Sequence, residues 1–289
     1  VDDLVAAIRS YLTPPTEFDV ADLGGGAALD ERVAERYGGM EPPETVAIVG
    51  AGYVGVEMAE AFDGWDLDVH VFQRSDRPVP GFGDAVGDAV TDHLRASGVT
   101  LHFGEEVRRL DGADGHVDRV VCASGAALSV DTALVGIGIR PNTALLDGTP
   151  VELGESGAVA TDEHGRTSVT NVYAAGDVAE MTHTVTGDPT WNPLGLPANR
   201  AGRAIGATVG GRPEPIGCVS GTAMVKAFDL ECGRTGILDH DRARGAGFDP
   251  VSETVTAGSR SGYYPGAAET TVTLTADRDT GRLLGGSIV

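Results

Sequence analysis

Lysine is almost missing from this chain. Of 21 basic residues only Lys226 is a lysine, against 43 acidic residues and a net charge of −22. Such a field repels nucleic acid and anionic membrane, so neither is expected as a partner. Cysteine is also scarce. Cys122, Cys218 and Cys232 stand far apart, form no CxxC pair and are odd in number. A disulfide framework and a metal site are therefore not expected, and a reducing cytoplasm fits. No apolar run reaches the roughly 18 residues of a membrane-spanning helix. Val1-Asp2-Asp3 carries neither the basic nor the apolar region of a signal peptide. The chain does not begin with methionine, and its last residues fall inside an expected strand. Both ends are therefore expected to be incomplete.

Glycine is plentiful, at 42 residues, which implies many tight turns and strand–helix loops. The hydrophobic share of 41% supports real cores, and 289 residues can hold two or three domains. An acidic, lysine-poor surface resembles that of proteins from salt-loving microbes, since at molar salt the Debye length is about 3 Å and self-repulsion is screened. An ordinary acidic cytosolic protein is the alternative.

Leu4 to Ile8 reads as a strand or a helix start, and Leu29 to Tyr37 as a short helix. Val46 to Val49 is a continuous apolar run, as in a strand buried on both faces of a parallel sheet. A helix over about Val54 to Phe62, a strand over Val69 to Phe72 and a helix over Asp84 to Ser97, ended by Gly98, follow. Then come a strand over Val99 to Phe103, a hairpin or small meander over Val117 to Val130 around Gly125, and a strand over Leu134 to Ile137. This alternation predicts a doubly wound α/β unit. Residues 146–175 read as β-rich and residues 197–209 as a helix. From about 216 an α+β unit is expected, with a hairpin pairing Thr270 to Thr275 with Arg282 to Val289.

Gly50-Ala51-Gly52-Tyr53-Val54-Gly55 is G-x-G-x-x-G, placed between a buried strand and a helix, the context a dinucleotide site requires. Gly50 allows the turn, Gly52 lets a pyrophosphate approach the backbone, and Gly55 lets helix and strand pack closely. The helix N-terminus offers free N–H groups and partial positive charge. A glycine-rich turn without a ligand is the plainer reading. About 20 residues on, an acidic side chain would take the ribose hydroxyl of NAD. Gln73 and Arg74 stand there instead. A neutral amide beside a guanidinium suits the 2′-phosphate of NADPH, unless Arg74 is simply solvated and Gln73 serves NADH.

Four stretches occur in one order: Val49 to Glu60, Val135-Gly136-Ile137-Gly138-Ile139-Arg140-Pro141-Asn142, Thr167 to Asp177, and Gly262-Tyr263-Tyr264-Pro265-Gly266-Ala267. Together they resemble the pyridine nucleotide–disulfide oxidoreductases, and within them the coenzyme A-disulfide reductase and NADH oxidase/peroxidase branch. The resemblance implies a Rossmann-type NAD(P) domain at 44–145, inserted in a partial FAD domain (1–43 and 146–214). A partial α+β interface domain at 215–289 would make a homodimer. It implies FAD and NAD(P)H as cofactors. Glu57 would face the nicotinamide, Tyr53 would cover the flavin, and Gly136, Ile137 and Gly138 would meet the nucleotide through their backbone. Asp177, after Gly176, would bond the FAD ribityl chain. Pro193, Leu194 and Gly195 would lead a helix N-terminus toward the flavin. Tyr263 or Tyr264 would reach the partner's active site.

Each position has a local alternative. Glu57 and Glu60 read equally as a solvated helix face, Asp177 as an N-cap before Val178, and the two tyrosines as packing residues. Two departures stand out. No second G-x-G-x-x-G precedes Gly50, and no cysteine matches the family's redox position. Residues 3–15 faintly resemble the segment leading out of the first FAD half, but Ala7-Ile8-Arg9 replaces the expected Thr-Gly. The expected activity is reduction of a small-molecule disulfide such as coenzyme A disulfide. The alternatives are an oxidase or peroxidase passing electrons to oxygen or peroxide, and a non-catalytic nucleotide-binding remnant. A plain dehydrogenase using His183 is a weaker fourth reading.

Overall fold

The computed structural model describes residues 43–113 and 116–289. The expectations placed on Leu4 to Ile8, on residues 3–15 and on Leu29 to Tyr37 lie outside the described residues.

The first unit alternates strand and helix: β1 (Thr45–Val49), α1 (Tyr53–Asp63), β2 (Asp68–Gln73), α2 (Asp84–Ala96) and β3 (Thr100–Phe103). It continues with β4 (Val107–Ala113), β5 (His116–Cys122), β6 (Ala127–Ser129) and β7 (Thr132–Val135). Strands β3, β2, β1 and β7 form a parallel sheet in that order. Val46, Ala47 and Ile48 are fully buried, so β1 has core on both sides. Val46, Ile48, Val69 and Val71 face Val56 and Ala59 of α1 and Val86, Val90 and Leu94 of α2. The opposite face, through Ala47 and Phe72, is covered by Val120 and Cys122 of the antiparallel β4–β5–β6 sheet. That second face carries a meander, and both helices share the first. Gly98, at φ +91°, ends α2 just past its Ser97 cap.

Residues 146–175 depart from the expected β content. They hold isolated bridges, Leu153 with Val159 and Arg166 with Tyr173, and no strand. Turns interrupt every apolar stretch there. Gly157 and Gly165 have positive φ, and Asp162 accepts the N–H groups of His164 and Arg166. No run is left long enough for a ladder. The last apolar strand of the nucleotide unit also stops early, at Val135, where Gly136 turns the chain away.

A short hairpin of β8 (Glu180–Thr182) and β9 (Pro189–Trp191) precedes α3 (Gly195–Val209). The C-terminal strands are β10 (Ala223–Ala227), β11 (Leu230–Gly236), β12 (Pro250–Gly258), β13 (Glu269–Asp277) and β14 (Leu283–Ile288), with α4 (His240–Gly245) between β11 and β12. They form a five-stranded antiparallel sheet ordered β10-β11-β14-β13-β12. Ala223, Val225, Ala227 and Cys232 join the core of α1 and α2, so these helices lie between two sheets. The Asp277 to Gly281 turn closes the expected hairpin. Asp277 accepts from the Thr280 hydroxyl and the Asp249 N–H, which hold its carboxyl below the usual range.

Candidate functional site

The crevice forms where the parallel sheet changes direction. Strand β1 is flanked by β2 on one side and β7 on the other, and ligands of such sheets bind outside the carboxyl ends at this point. The Gly50 N–H donates to Phe72 O at 2.8 Å, and the Gly136 N–H donates to Val49 O at 2.8 Å. Gly50 has φ +104°, and a methyl there would collide with the Gly136 carbonyl. A methyl at Gly55 would collide with the Gly50 carbonyl. Gly52 differs, because a methyl there would meet nothing within 4 Å. Thus two fingerprint glycines serve packing and the third fronts open space at the start of α1. No side chain caps α1 and none in its first turn is acidic, so its N–H groups stay open to an anion.

Val54 of α1 and Val135, Ile137 and Ile139 at and beyond the end of β7 are all more than half exposed, and Gly138 sits at φ +107°. Gln73 turns inward: Oε1 accepts the Ala51 N–H at 3.1 Å, while Nε2 donates to Ser75 Oγ at 2.7 Å. Arg74 is exposed and, among the described residues, makes no ion pair. Arg77 is committed to Asp84 and Asp88, whose contact raises its pKa. Glu57 is exposed on α1. Glu60 is not the solvated residue of the alternative reading. It binds Lys226 Nζ at 3.0 Å and accepts the Phe228 N–H at 2.9 Å, because the β10–β11 turn packs on the helix.

A second surface lies around α3. Gly176, Asp177 and Val178 form a 3-10 turn whose cap is Ala175, and the Asp177 side chain makes no capping bond. The N-cap reading of Asp177 is therefore corrected: the residue lies inside the turn. Its carboxylate is exposed, while its carbonyl accepts Trp191 Nε1 at 2.8 Å. Gly176 meets Ala198 of α3. Leu194 caps α3 without a side-chain bond, leaving the first N–H groups free. A cavity of about 450 Å³ opens beside it, lined by Gly195, Ala198, Asn199, Gly202 and Arg203. Methyl groups at Gly195 and Gly202 would meet nothing, so a planar cofactor can approach this helix closely. The surface suits FAD: an uncapped helix N-terminus, an exposed carboxylate acceptor and a small-residue face.

Tyr263 and Tyr264 sit on the loop between β12 and β13, 84% and 60% exposed, with ring centroids 5.6 Å apart. Within this chain the two rings face each other and are otherwise largely exposed. Cys122 and Cys232 are buried, and burial raises both thiols, Cys232 to about 11. Cys218 is exposed, and its carbonyl accepts from Arg200 of α3. His183 is 2% exposed, and its Nδ1 accepts the Val185 N–H. It is a packed residue and a poor candidate for hydride chemistry. Among the described residues no group of three His, Cys, Asp or Glu could hold a metal ion, and no helix is long and apolar enough to cross a membrane. Arg234 was not foreseen. Its Nε donates to Tyr53 Oη at 3.2 Å from a strand 181 residues away, a separation no local pattern reveals.

A parallel sheet with a glycine fingerprint at its switch point, joined to an antiparallel sheet, defines a dinucleotide-binding α/β protein. A family model described as pyridine nucleotide-disulphide oxidoreductase matches residues 18–194. The chain belongs to that family. The CoA-dependent NAD(P)H sulfur oxidoreductase of Pyrococcus abyssi is 38% identical over 243 residues, covering 84% of this chain and 54% of the relative. An NADH oxidase of Methanocaldococcus jannaschii is 30% identical over 245 residues, covering 84% and 54%. The solved NAD-dependent persulfide reductase from A. fulgidus superposes with a TM-score of 0.82 at 32% identity, covering 90% of this chain and 48% of that one. The chain thus spans about half the length of the relatives it matches.

Proposed function

We propose that this chain acts in an FAD-dependent NAD(P)H oxidoreductase that reduces a disulfide or related sulfur compound, such as coenzyme A disulfide. The observation that carries the reading is the open space before Gly52, set between the Gly50 turn, the Gly136 backbone and the uncapped start of α1. Residues 44–145 bind the nucleotide. Gly52 and the α1 N–H groups take the pyrophosphate, and Gly136, Ile137 and Gly138 meet it from β7. Glu57 lies along α1 toward the nicotinamide, and Tyr53 stands at the mouth. The exposed Arg74 beside neutral Gln73 favours NADPH over NADH. Gly176, Asp177, Leu194 and Gly195 hold FAD. FAD held there would supply hydride-accepting chemistry, while the protein supplies orientation and charge. The free N–H groups of α3 favour negative charge at the flavin. The names of the Pyrococcus and A. fulgidus relatives support a sulfur acceptor.

A second reading, oxidase or peroxidase chemistry with oxygen or peroxide as acceptor, is favoured by the M. jannaschii relative. The five-stranded sheet supports a homodimer. Its open face aligns Met224, Gly233, Ile288, Val272 and Val255 across five strands, with Met224 and Val255 largely exposed. Tyr263 and Tyr264, beyond β12, would reach the partner. The acidic surface suits a salt-rich cytoplasm. Titration of the purified chain with NADPH and NADH, followed by nucleotide fluorescence, tests the reading. Saturable binding supports it. No binding of either nucleotide overturns it.

A further inference from the structure

The fingerprint helix is tied to the C-terminal sheet at both ends. Near its C-terminal end Glu60 holds Lys226 and the Phe228 N–H. At its first residue, Tyr53, the tie is different in kind. Arg234 of β11 donates from Nε to the Tyr53 hydroxyl at 3.2 Å. The same guanidinium lies 5.5 Å from the centre of the Phe82 ring and reaches Gly81 O through Nη1 at 3.4 Å. Tyr53 in turn meets Phe82 edge to face at 5.5 Å. The three side chains form a closed triangle in which each touches the other two. Tyr53 directly follows Gly52, the glycine that fronts open space.

We infer that Arg234 is a positioning residue for nucleotide binding: it holds the Tyr53 ring back against Phe82 and so keeps the space before Gly52 free. This rests on the nucleotide-binding reading above. A tyrosine at the start of a helix has rotamers that point away from its own turn. One charge-assisted bond from a planar, multi-donor guanidinium selects among them. Arg234 makes two further contacts that do not involve Tyr53. Loss of a merely structural arginine would therefore act alike whether or not the Tyr53 hydroxyl is present.

The test is a double-mutant cycle on the full chain, reading the Kd for NADPH and NADH by fluorescence titration and the melting temperature in parallel. Arg234→Met and Tyr53→Phe are each expected to weaken nucleotide binding about fivefold. Arg234→Met is expected to change affinity less than about twofold when Tyr53→Phe is already present. Arg234→Lys, which keeps one donor in reach, is expected to stay within about twofold of wild type. Arg234→Leu takes the place of Arg234→Met in the cycle, with the same expectations, if the latter does not fold. Equal weakening by Arg234→Met in both backgrounds, tighter binding, or no change overturns the inference while leaving the function intact. Failure of the wild type to bind either nucleotide overturns both.

Discussion

Gly52 and Gly55 look alike in the fingerprint, yet the structure gives them opposite surroundings. Gly55→Ala drives a methyl into the Gly50 carbonyl. It is expected to cost about 2 kcal/mol of stability, as overpacking does, and to abolish nucleotide binding, which urea unfolding and titration will show. Gly52→Ala meets open space at an ordinary φ of −80°. Stability is expected to stay within about 0.5 kcal/mol, while NADPH affinity falls at least about tenfold. Equal loss of stability in both variants would contradict the assignment of Gly52 to a ligand. The fingerprint and the separate part of each glycine were legible from spacing; which backbone lies opposite Gly50 and Gly55 was not. For Arg74→Ala, NADPH binding is expected to weaken about tenfold, with NADH unchanged within about twofold. A matching loss for both nucleotides would make Arg74 a general phosphate contact.

Two histidines carry the pH dependence. Burial, aided by nearby Arg242, lowers the His183 pKa from its usual 6.5. Burial and the adjacent His70 lower that of His102, whose Nε2 lies 3.0 Å from His70 Nδ1. The folded chain therefore resists protons that the unfolded chain accepts. Stability is full above 6.5 and declines as pH falls through that value, until each folded pKa is passed. Melting temperature is expected to drop between about pH 8 and about pH 5, and His183→Gln is expected to flatten the slope. An unchanged slope in that variant would shift the effect to His102.

At the scale of elements, β1, β2, α1 and α2 could be read because burial on two faces and helical periodicity leave strong patterns. Strand β4 could not. Val107 to Ala113 carries two arginines and an aspartate and is held by pairing with β5. Residues 146–175 misled in the other direction, since apolar residues separated by glycine turns imitate strands. The junction of α1 with β10 and β11 was also hidden, because its partners lie far apart in sequence. Glu60→Ala removes the Lys226 pair and leaves the partly buried Phe228 N–H without its acceptor. It is expected to cost about 1 kcal/mol in thermal unfolding. Lys226→Met, which keeps the Phe228 bond, is expected to cost less than half of that. The reverse order would mean that the exposed ion pair holds the sheets together.

In the whole molecule, two surfaces are the proposed ligand sites. One is the crevice at Gly50, Gly52 and Gly136, the other the turn at Gly176 and Asp177 with the start of α3. The order of the four resemblance stretches let this plan be proposed before the fold, because a dinucleotide fingerprint is a local feature. The acceptor was not readable, since none of Cys122, Cys218 and Cys232 stands at the fingerprint turn. The central claim is that both surfaces serve one hydride path from NAD(P)H to flavin. The most direct measurement is the visible absorption spectrum of the chain supplied with FAD, taken before and after NADPH under anaerobic conditions. A protein-bound flavin band that bleaches on NADPH addition is the predicted result. A chain that binds NADPH but neither retains FAD nor bleaches it would contradict the claim and leave a nucleotide-binding protein without turnover.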